Sequence, residues 1–444
     1  MIAPRVALLI FVAVVTIPAA ALHALVPTGG LLAPVAFFIV ALAALADIAL
    51  SRKRLSAVRV TFPDTVRLSK DRQGPLSLVF QNDSPWPARV RVGLSFPYTV
   101  QPESEILEAV LPPSPDTAEL TWLCTASQRG NFELRDVHLE TRSALGLWNI
   151  RALQTGRTEL KVYPNLQRER NAVASIFLSR GGLGGHAQRR VGKGRDFDQL
   201  RDYIAGDSSE DIHWKATARR GHPVTKIYQV ERTQEVYVVI DTSRLSARAA
   251  LAGASHETQL ERFINAGLAL GLVAEKQGDL FGLATFSDRV DTFIRAKTGR
   301  AHFGGIREAV YTLQPRMVNP DYQELFTLLR LRLRRRALIL LLTNLDDPLL
   351  AEEFEQHLQL LSKRHLILVN TMPPLHIRPL FTSGTGASVD GVYEQLAGHL
   401  QWQELRKLQL SLHHKGVSMS LVNQASLLPE LVAQYMSVKQ RQLL

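Results

Sequence analysis

The chain has 444 residues, 46 % hydrophobic and 21 % charged, with a net charge of +11. That balance excludes wholesale disorder, and at roughly 100–200 residues per domain the length implies two or three domains. A single cysteine, Cys124, excludes an internal disulfide and any cysteine-rich zinc site, and points to a body in a reducing compartment.

Residues 1–54 read as a membrane anchor. Residues 6–26 carry no charge, and residues 31–50 carry only Asp47 near their end. Each stretch matches the roughly 20 residues that cross about 30 Å of hydrocarbon. Pro27, Thr28, Gly29 and Gly30 between them predict a tight turn, hence a transmembrane helical hairpin. Arg52, Lys53 and Arg54 follow at once. Basic residues flanking a span stay on the cytoplasmic side, so the expected location is the inner membrane with the body facing the cytoplasm. The competing reading makes the first segment a cleaved signal peptide, with Arg5 as its basic start; the second span would still leave the body inside.

Residues 55–165 change to short segments of alternating polarity, such as 59–62, 76–80, 88–92 and 131–134. Turn clusters at 82–85, 112–115 and 128–130 separate them. This pattern predicts an antiparallel β-sandwich, with Trp122, Phe132 and Trp148 expected in its core. No His, Asp or Glu grouping here has catalytic spacing, so the domain reads as a spacer or interaction module.

Residues 166–235 form a connecting region. The glycine run 181–185 predicts a mobile loop. The stretch from Gly192 lacks the third glycine and the Lys-Ser/Thr ending of a phosphate loop, and reads instead as a turn feeding a short helix with Phe197, Leu200 and Ile204 on one face. Ser208 to Asp211 then starts another helix, with Lys215, Arg219 and Arg220 toward its end and Gly221 as its stop. Asp211, His213 and Lys215 at i, i+2 and i+4 do not share one helix face, which argues against an acid/base set.

The run GKGRDFDQLRDYIAGD (192–207), continuing through IHWKATARRG (212–221), closely resembles the signature of the bacterial domain-of-unknown-function family fifty-eight. The matching positions are Gly192, Gly194, Phe197, Leu200, Arg201, Tyr203, Gly206, Asp207, Ile212, Trp214, Lys215 and Arg219. The resemblance implies two N-terminal spans, a sandwich-like segment and a von Willebrand factor A-like domain. It also implies companionship with MoxR-type AAA+ ATPases in the assembly or activation of other proteins.

Residues 236–444 read as α/β from their pattern alone. The continuous apolar runs 235–240 and 337–343 are those of strands covered on both faces, and they alternate with helix-period segments at 258–277, 349–363, 392–413 and 427–442. The expected fold is a doubly wound, largely parallel sheet of von Willebrand factor A-like type, with ligands at the carboxyl ends of its strands. There a metal-binding A-like domain carries Asp-x-Ser-x-Ser. Here Asp241 and Ser243 fit, Leu245 replaces the second serine, and Ser246 falls one residue late. Asn344 stands where an aspartate is usual, and Thr298 is the nearest candidate for a loop threonine. Asp346 and Asp347 are placed to compensate. The oxygen set for Mg²⁺ is therefore degenerate, and the alternative role for Asp241 is to cap a loop through backbone N–H groups.

A second basic run, Arg330 to Arg336, precedes a core strand. It has no interleaved aromatics and no nucleic-acid motif, so a nucleic-acid partner is not expected. The expectation is a membrane-tethered, non-enzymatic adaptor holding a protein partner at the cytoplasmic face, with a MoxR-type AAA+ ATPase as the partner the resemblance implies. The alternative is a metal-dependent enzyme centred on Asp241.

Overall fold

The computed structural model describes residues 1–25, 32–52, 54–85, 87–179, 191–229, 234–249, 257–374, 376–380, 389–423 and 426–441. The chain divides into two compact units, Met1–Asn165 and Leu166–Leu444.

The first unit opens with β1 (Ile2–Pro4) and two apolar helices, α1 (Val6–Leu25) and α2 (Leu32–Ser51). Among the described residues one helix, α2, is long and apolar enough to cross a membrane, over Pro34–Ser51; the apolar run of α1, Val6–Ala21, is shorter. The turn expected at 27–30 lies outside the described residues. Among the described residues nine strands follow: β2 (Val58–Thr61), β3 (Thr65–Ser69), β4 (Gln73–Asn82), β5 (Ala88–Leu94), β6 (Val100–Pro102), β7 (Ile106–Leu111), β8 (Thr117–Ala126), β9 (Gly130–Arg142) and β10 (Trp148–Tyr163). One sheet runs β1-β10-β9-β5-β7 with β3 beside β10, and the other runs β2-β4-β8-β6. Period-two alternation builds their shared core: Leu76, Leu78 and Phe80 of β4 are buried against Trp122 of β8 and Val90, Val92 and Leu139 of the facing sheet.

Two of the expected core aromatics belong there, Trp122 fully and Phe132 in part. Trp148 does not. Its indole Nε1–H donates to the Ala44 carbonyl of α2 at 3.1 Å, because it begins β10 at the end of the sheet that receives the helices. There Asp47, fully buried, accepts from the Ser143 hydroxyl at 2.6 Å and from the Leu145 and Leu147 amides at 2.9 and 3.3 Å. Arg5 Nη1 donates to the Gly146 carbonyl at 3.1 Å, and β1 pairs antiparallel with the start of β10. The β9–β10 turn is thus gripped from both helix ends.

The second unit begins with α3 (Gln167–Ser179), a helix that the sequence pattern does not announce. Then come β11 (Val191–Asp202), α4 (Trp214–Arg220) and β12 (Val224–Gln229). The α/β body comprises β13 (Glu235–Asp241), α5 (Gln259–Lys276), β14 (Leu280–Phe286), β15 (Val290–Lys297), α6 (Arg300–Val310), α7 (Tyr322–Arg332), β16 (Ala337–Leu342), α8 (Pro348–Ser362), β17 (Leu366–Thr371), α9 (Val389–His414), β18 (Ser418–Leu421) and α10 (Leu427–Arg441). The sheet order is β15-β14-β13-β16-β17-β18, parallel except for β15. Val236, Val238 and Ile240 pack with Phe263 of α5 and Leu431 of α10. Tyr237 and Val239 pack with Leu325 of α7 and Phe354 of α8 on the other face. Both faces of β13 are therefore apolar, and each such side chain contributes about 1.5–3 kcal/mol by leaving water. At Gly271 of α5 an added Cβ would lie 2.6 Å from Phe281, so only glycine lets this helix approach the sheet so closely.

Candidate functional site

The signature segment does not begin as the expected short helix. Gly192, Gly194, Phe197 and Leu200 lie on strand β11, which pairs antiparallel with β12, Arg201 opposite Thr225. The spacing of Phe197, Leu200 and Ile204 imitates a helix period, but the hydrogen bonds go to a neighbouring strand. The glycine run 181–185 lies outside the described residues. The second expected helix splits in two. Ser208 caps a single 3₁₀ turn, Ser209–Asp211, while His213 Nδ1 accepts the Ala216 N–H at 3.0 Å and starts α4. Gly221 ends α4 at φ +74°, as its position predicts. Asp211, His213 and Lys215 therefore sit in a turn, a cap and a helix, and His213 is spent on capping.

Asp207 organises this segment. Its carboxylate accepts the Ile204 N–H at 3.1 Å, the Arg201 guanidinium at 2.6 Å and the Thr225 hydroxyl at 3.3 Å. The Ile204 amide, followed by Arg201, holds the Asp207 carboxyl below the usual carboxylate range. Gly206 before it has φ +112°, which other residues rarely adopt. Ile212 bridges to Thr225, and the Thr217 hydroxyl accepts the Val224 N–H at 3.1 Å. Arg201, Asp207 and Thr225 thus hold one another, while Trp214 is 70 % exposed, Ile204 61 % and Tyr203 39 %. Lys215 and Arg219 are exposed beside them in α4.

Residues 199–376 match the family described as "Protein of unknown function DUF58". This segment is similar to DUF58 domains. The recognition from the signature residues therefore holds, and the match extends through β16 to the strand ends. No curated protein matches the chain in sequence. Among solved structures, an aerotolerance-related membrane protein from Bacteroides fragilis NCTC 9343 is 13 % identical with a TM-score of 0.27, over 44 % of this chain and 96 % of that one. Proximal thread matrix protein 1 from the mussel byssus is 14 % identical with a TM-score of 0.26, over 47 % of this chain and 44 % of its own. The PapD-like domain 7 of human CEP192 is 8 % identical with a TM-score of 0.18, over 24 % of this chain and 87 % of its own.

At the carboxyl ends of the DUF58 strands, Asp241 ends β13 beside Phe286 of β14, and Thr343 and Asn344 follow β16 directly. Asp241 is fully buried. One of its oxygens accepts the Ser243 N–H at 2.8 Å and the other the Thr343 hydroxyl at 2.6 Å; Tyr322 lies 3.0 Å from that hydroxyl. Burial pushes the Asp241 carboxyl up, against the pull of these hydrogen bonds. Ser243 Oγ accepts the Leu245 N–H, capping a 3₁₀ turn, and Ser246 donates to the Ser243 carbonyl at 2.8 Å. Asn344 Nδ2 donates to Gln259 Oε1 and the Leu245 carbonyl, and its Oδ1 accepts the Met372 N–H at 3.2 Å. Both oxygens of Asp346 take Arg248 Nη1 at 2.7 Å. Asp347 caps α8 and pairs with Arg244 at 3.2 Å.

Asp241, Ser243 and Asn344 do converge at these strand ends. Every side-chain oxygen of the set Asp241, Ser243, Asn344 and Asp346 is engaged within the chain, and a guanidinium occupies the carboxylate that was placed to compensate. A Mg²⁺ site needs such oxygens free to approach at about 2.0–2.1 Å. In this arrangement the residues do not fit the ion. Thr298 is not part of the cluster. It follows Lys297, which pairs with Phe281 at the start of β14, the opposite end of the strands from Asp241. The threonine in contact is Thr343. Arg248, Gln259 and Tyr322 were invisible to sequence reasoning, since nothing in their spacing relates them to Asp241.

Proposed function

We propose that the chain is a membrane-tethered adaptor that acts by binding a protein partner rather than by catalysis. The observation that carries this reading is the signature itself: Arg201 and Asp207 hold a small scaffold together, and Trp214, Ile204 and Tyr203 are left exposed upon it beside Lys215 and Arg219. Exposed aromatic anchors flanked by cations are what protein interfaces select. The α/β unit is read as von Willebrand factor A-like, with a degenerate ion site converted into an internal polar network. The resemblance to DUF58 proteins makes a MoxR-type AAA+ ATPase the first partner to test.

The location read here is the bacterial inner membrane, with α1 and α2 in the bilayer and the rest of the chain in the cytoplasm. Arg5 precedes α1, and Arg52 and Arg54 follow α2, so the basic residues gather where cytoplasmic flanks carry them. Use of β1 and Arg5 in the first unit supports a retained α1.

A photo-crosslinking residue placed at Trp214 in native membranes tests the reading. It should trap the ATPase, and Trp214→Ala should weaken the purified pair by about tenfold or more. Adducts to lipid alone would overturn it. Calorimetry with Mg²⁺ or Mn²⁺ should show no binding; ion-dependent turnover abolished by Asp241→Ala would restore the enzyme reading.

A further inference from the structure

The first unit contains a cavity of about 880 Å³ at the end of the sheets that receives the two apolar helices. Arg5, Arg54, Arg89, Arg91 and Arg142 all line it, with Glu108 and Glu140 as acids. The two acids are already spent. Glu108 pairs with Arg91 at 3.0 Å, and Glu140 pairs with Arg91 at 3.1 Å and Arg151 at 2.7 Å. Four guanidinium groups remain without a carboxylate among the described residues. Those of Arg5 and Arg54 reach only the main-chain carbonyls of Gly146 and Arg142, at 3.1 and 3.3 Å. Those of Arg89 and Arg142 are exposed and meet no side-chain partner among the described residues. The β5–β9 pairing ends with Arg91 opposite Glu140, and just beyond it the Thr141 hydroxyl donates to the Arg89 carbonyl at 2.7 Å, so Arg89 and Arg142 stand on neighbouring strands at the same end of the sheet. Like charges so placed repel across a sheet, and the arrangement persists at least cost when an anion lies between them. Guanidinium forks grip the oxygens of a phosphate in pairs, and the volume suits a small polar headgroup.

We propose that this cavity binds the phosphate of an anionic phospholipid headgroup. The inference rests on the membrane reading above, because Arg5 directly precedes α1 and Arg54 follows the end of α2 by three residues. That places two of the four uncompensated guanidiniums at helix ends, where headgroups would lie, and basic pockets beside spans are where anionic lipids bind.

The full-length chain in detergent, examined by native mass spectrometry after addition of phosphatidylglycerol, phosphatidylcholine or inorganic phosphate, tests this. Phosphatidylglycerol should be retained over phosphatidylcholine by about tenfold or more, and Arg89→Gln with Arg142→Gln should abolish the preference. Arg89→Lys with Arg142→Lys should restore part of it while melting as wild type does. Retention of inorganic phosphate but not of phosphatidylglycerol would overturn the lipid as source and assign a soluble phosphate compound. Displacement of phosphatidylglycerol by a poly-glutamate peptide at equal concentration would overturn the phosphate in favour of an acidic polypeptide. Vesicle flotation separates the two readings. A chain that floats with phosphatidylcholine vesicles yet retains no anionic lipid sinks the site alone, and one that floats with no vesicle sinks the membrane reading as well.

Discussion

Asp241 is a carboxylate kept away from water, and its titration should be visible in the stability of the second unit. Burial raises its folded value above the ordinary one near pH 3.9. Between those two values the folded state keeps a proton that the unfolded chain has lost, so stability falls as pH rises through that window. Asp241→Asn should remove this slope, read as a flatter dependence of the urea midpoint on pH. Arg248→Ala leaves the Asp346 carboxylate, 12 % exposed, without its cation. The expected loss is about 1–3 kcal/mol in denaturant titration, and a wild-type midpoint would show the pair to be ornamental. Cys124 is enclosed in the first core, where burial pushes its thiol up to about 11. Iodoacetamide near neutral pH should label it only after unfolding.

Among the elements, the central strands were the most legible. A parallel strand covered on both faces must be apolar throughout, so 235–240 and 337–343 announce themselves. β11 was not legible, because a strand paired to a single neighbour carries no strict alternation and its Phe197, Leu200 and Ile204 fall at a helical spacing. α3 was missed because its first turns, from Gln167 to Asn171, are almost wholly polar. Asp241, Ser243 and Asn344 could be placed at one site from strand ends alone. Thr298 could not be excluded without the register, which decides the end of the strands at which a loop emerges. For the β11–β12 pair, Asp207→Asn should loosen the whole signature. Because the folded Asp207 value is depressed, its contribution is present above the unfolded value and is lost as pH falls through the folded one. Faster hydrogen exchange in β11 and β12 of the variant at neutral pH is the expected result. For α2, Asp47→Ala strips the acceptor from Ser143, Leu145 and Leu147. A cost of about 3 kcal/mol follows, together with new protease cleavage in the β9–β10 turn.

At the scale of the whole molecule, the reading of an anchored protein makes a simple demand on fractionation. Alkaline carbonate, which strips proteins held by charge alone, should leave the full chain in the membrane pellet. Release by high salt would place it at the surface and would undo the anchored topology. Net charge would not have told these outcomes apart, since the +11 excess serves screened attraction and true insertion alike.

The pairing of β1 with β10 has a consequence for biogenesis. Ile2–Pro4 take their partners from Trp148–Ile150, which are synthesised well over a hundred residues later. Until then the nascent sheet is short of an edge, and Asp47 waits for a turn that has not yet been synthesised. Closing so long a loop is slow but not costly, since its entropy grows only logarithmically with length. A bulky fusion at Met1, whose amino group donates to the Arg151 carbonyl at 2.8 Å, would obstruct this last docking step.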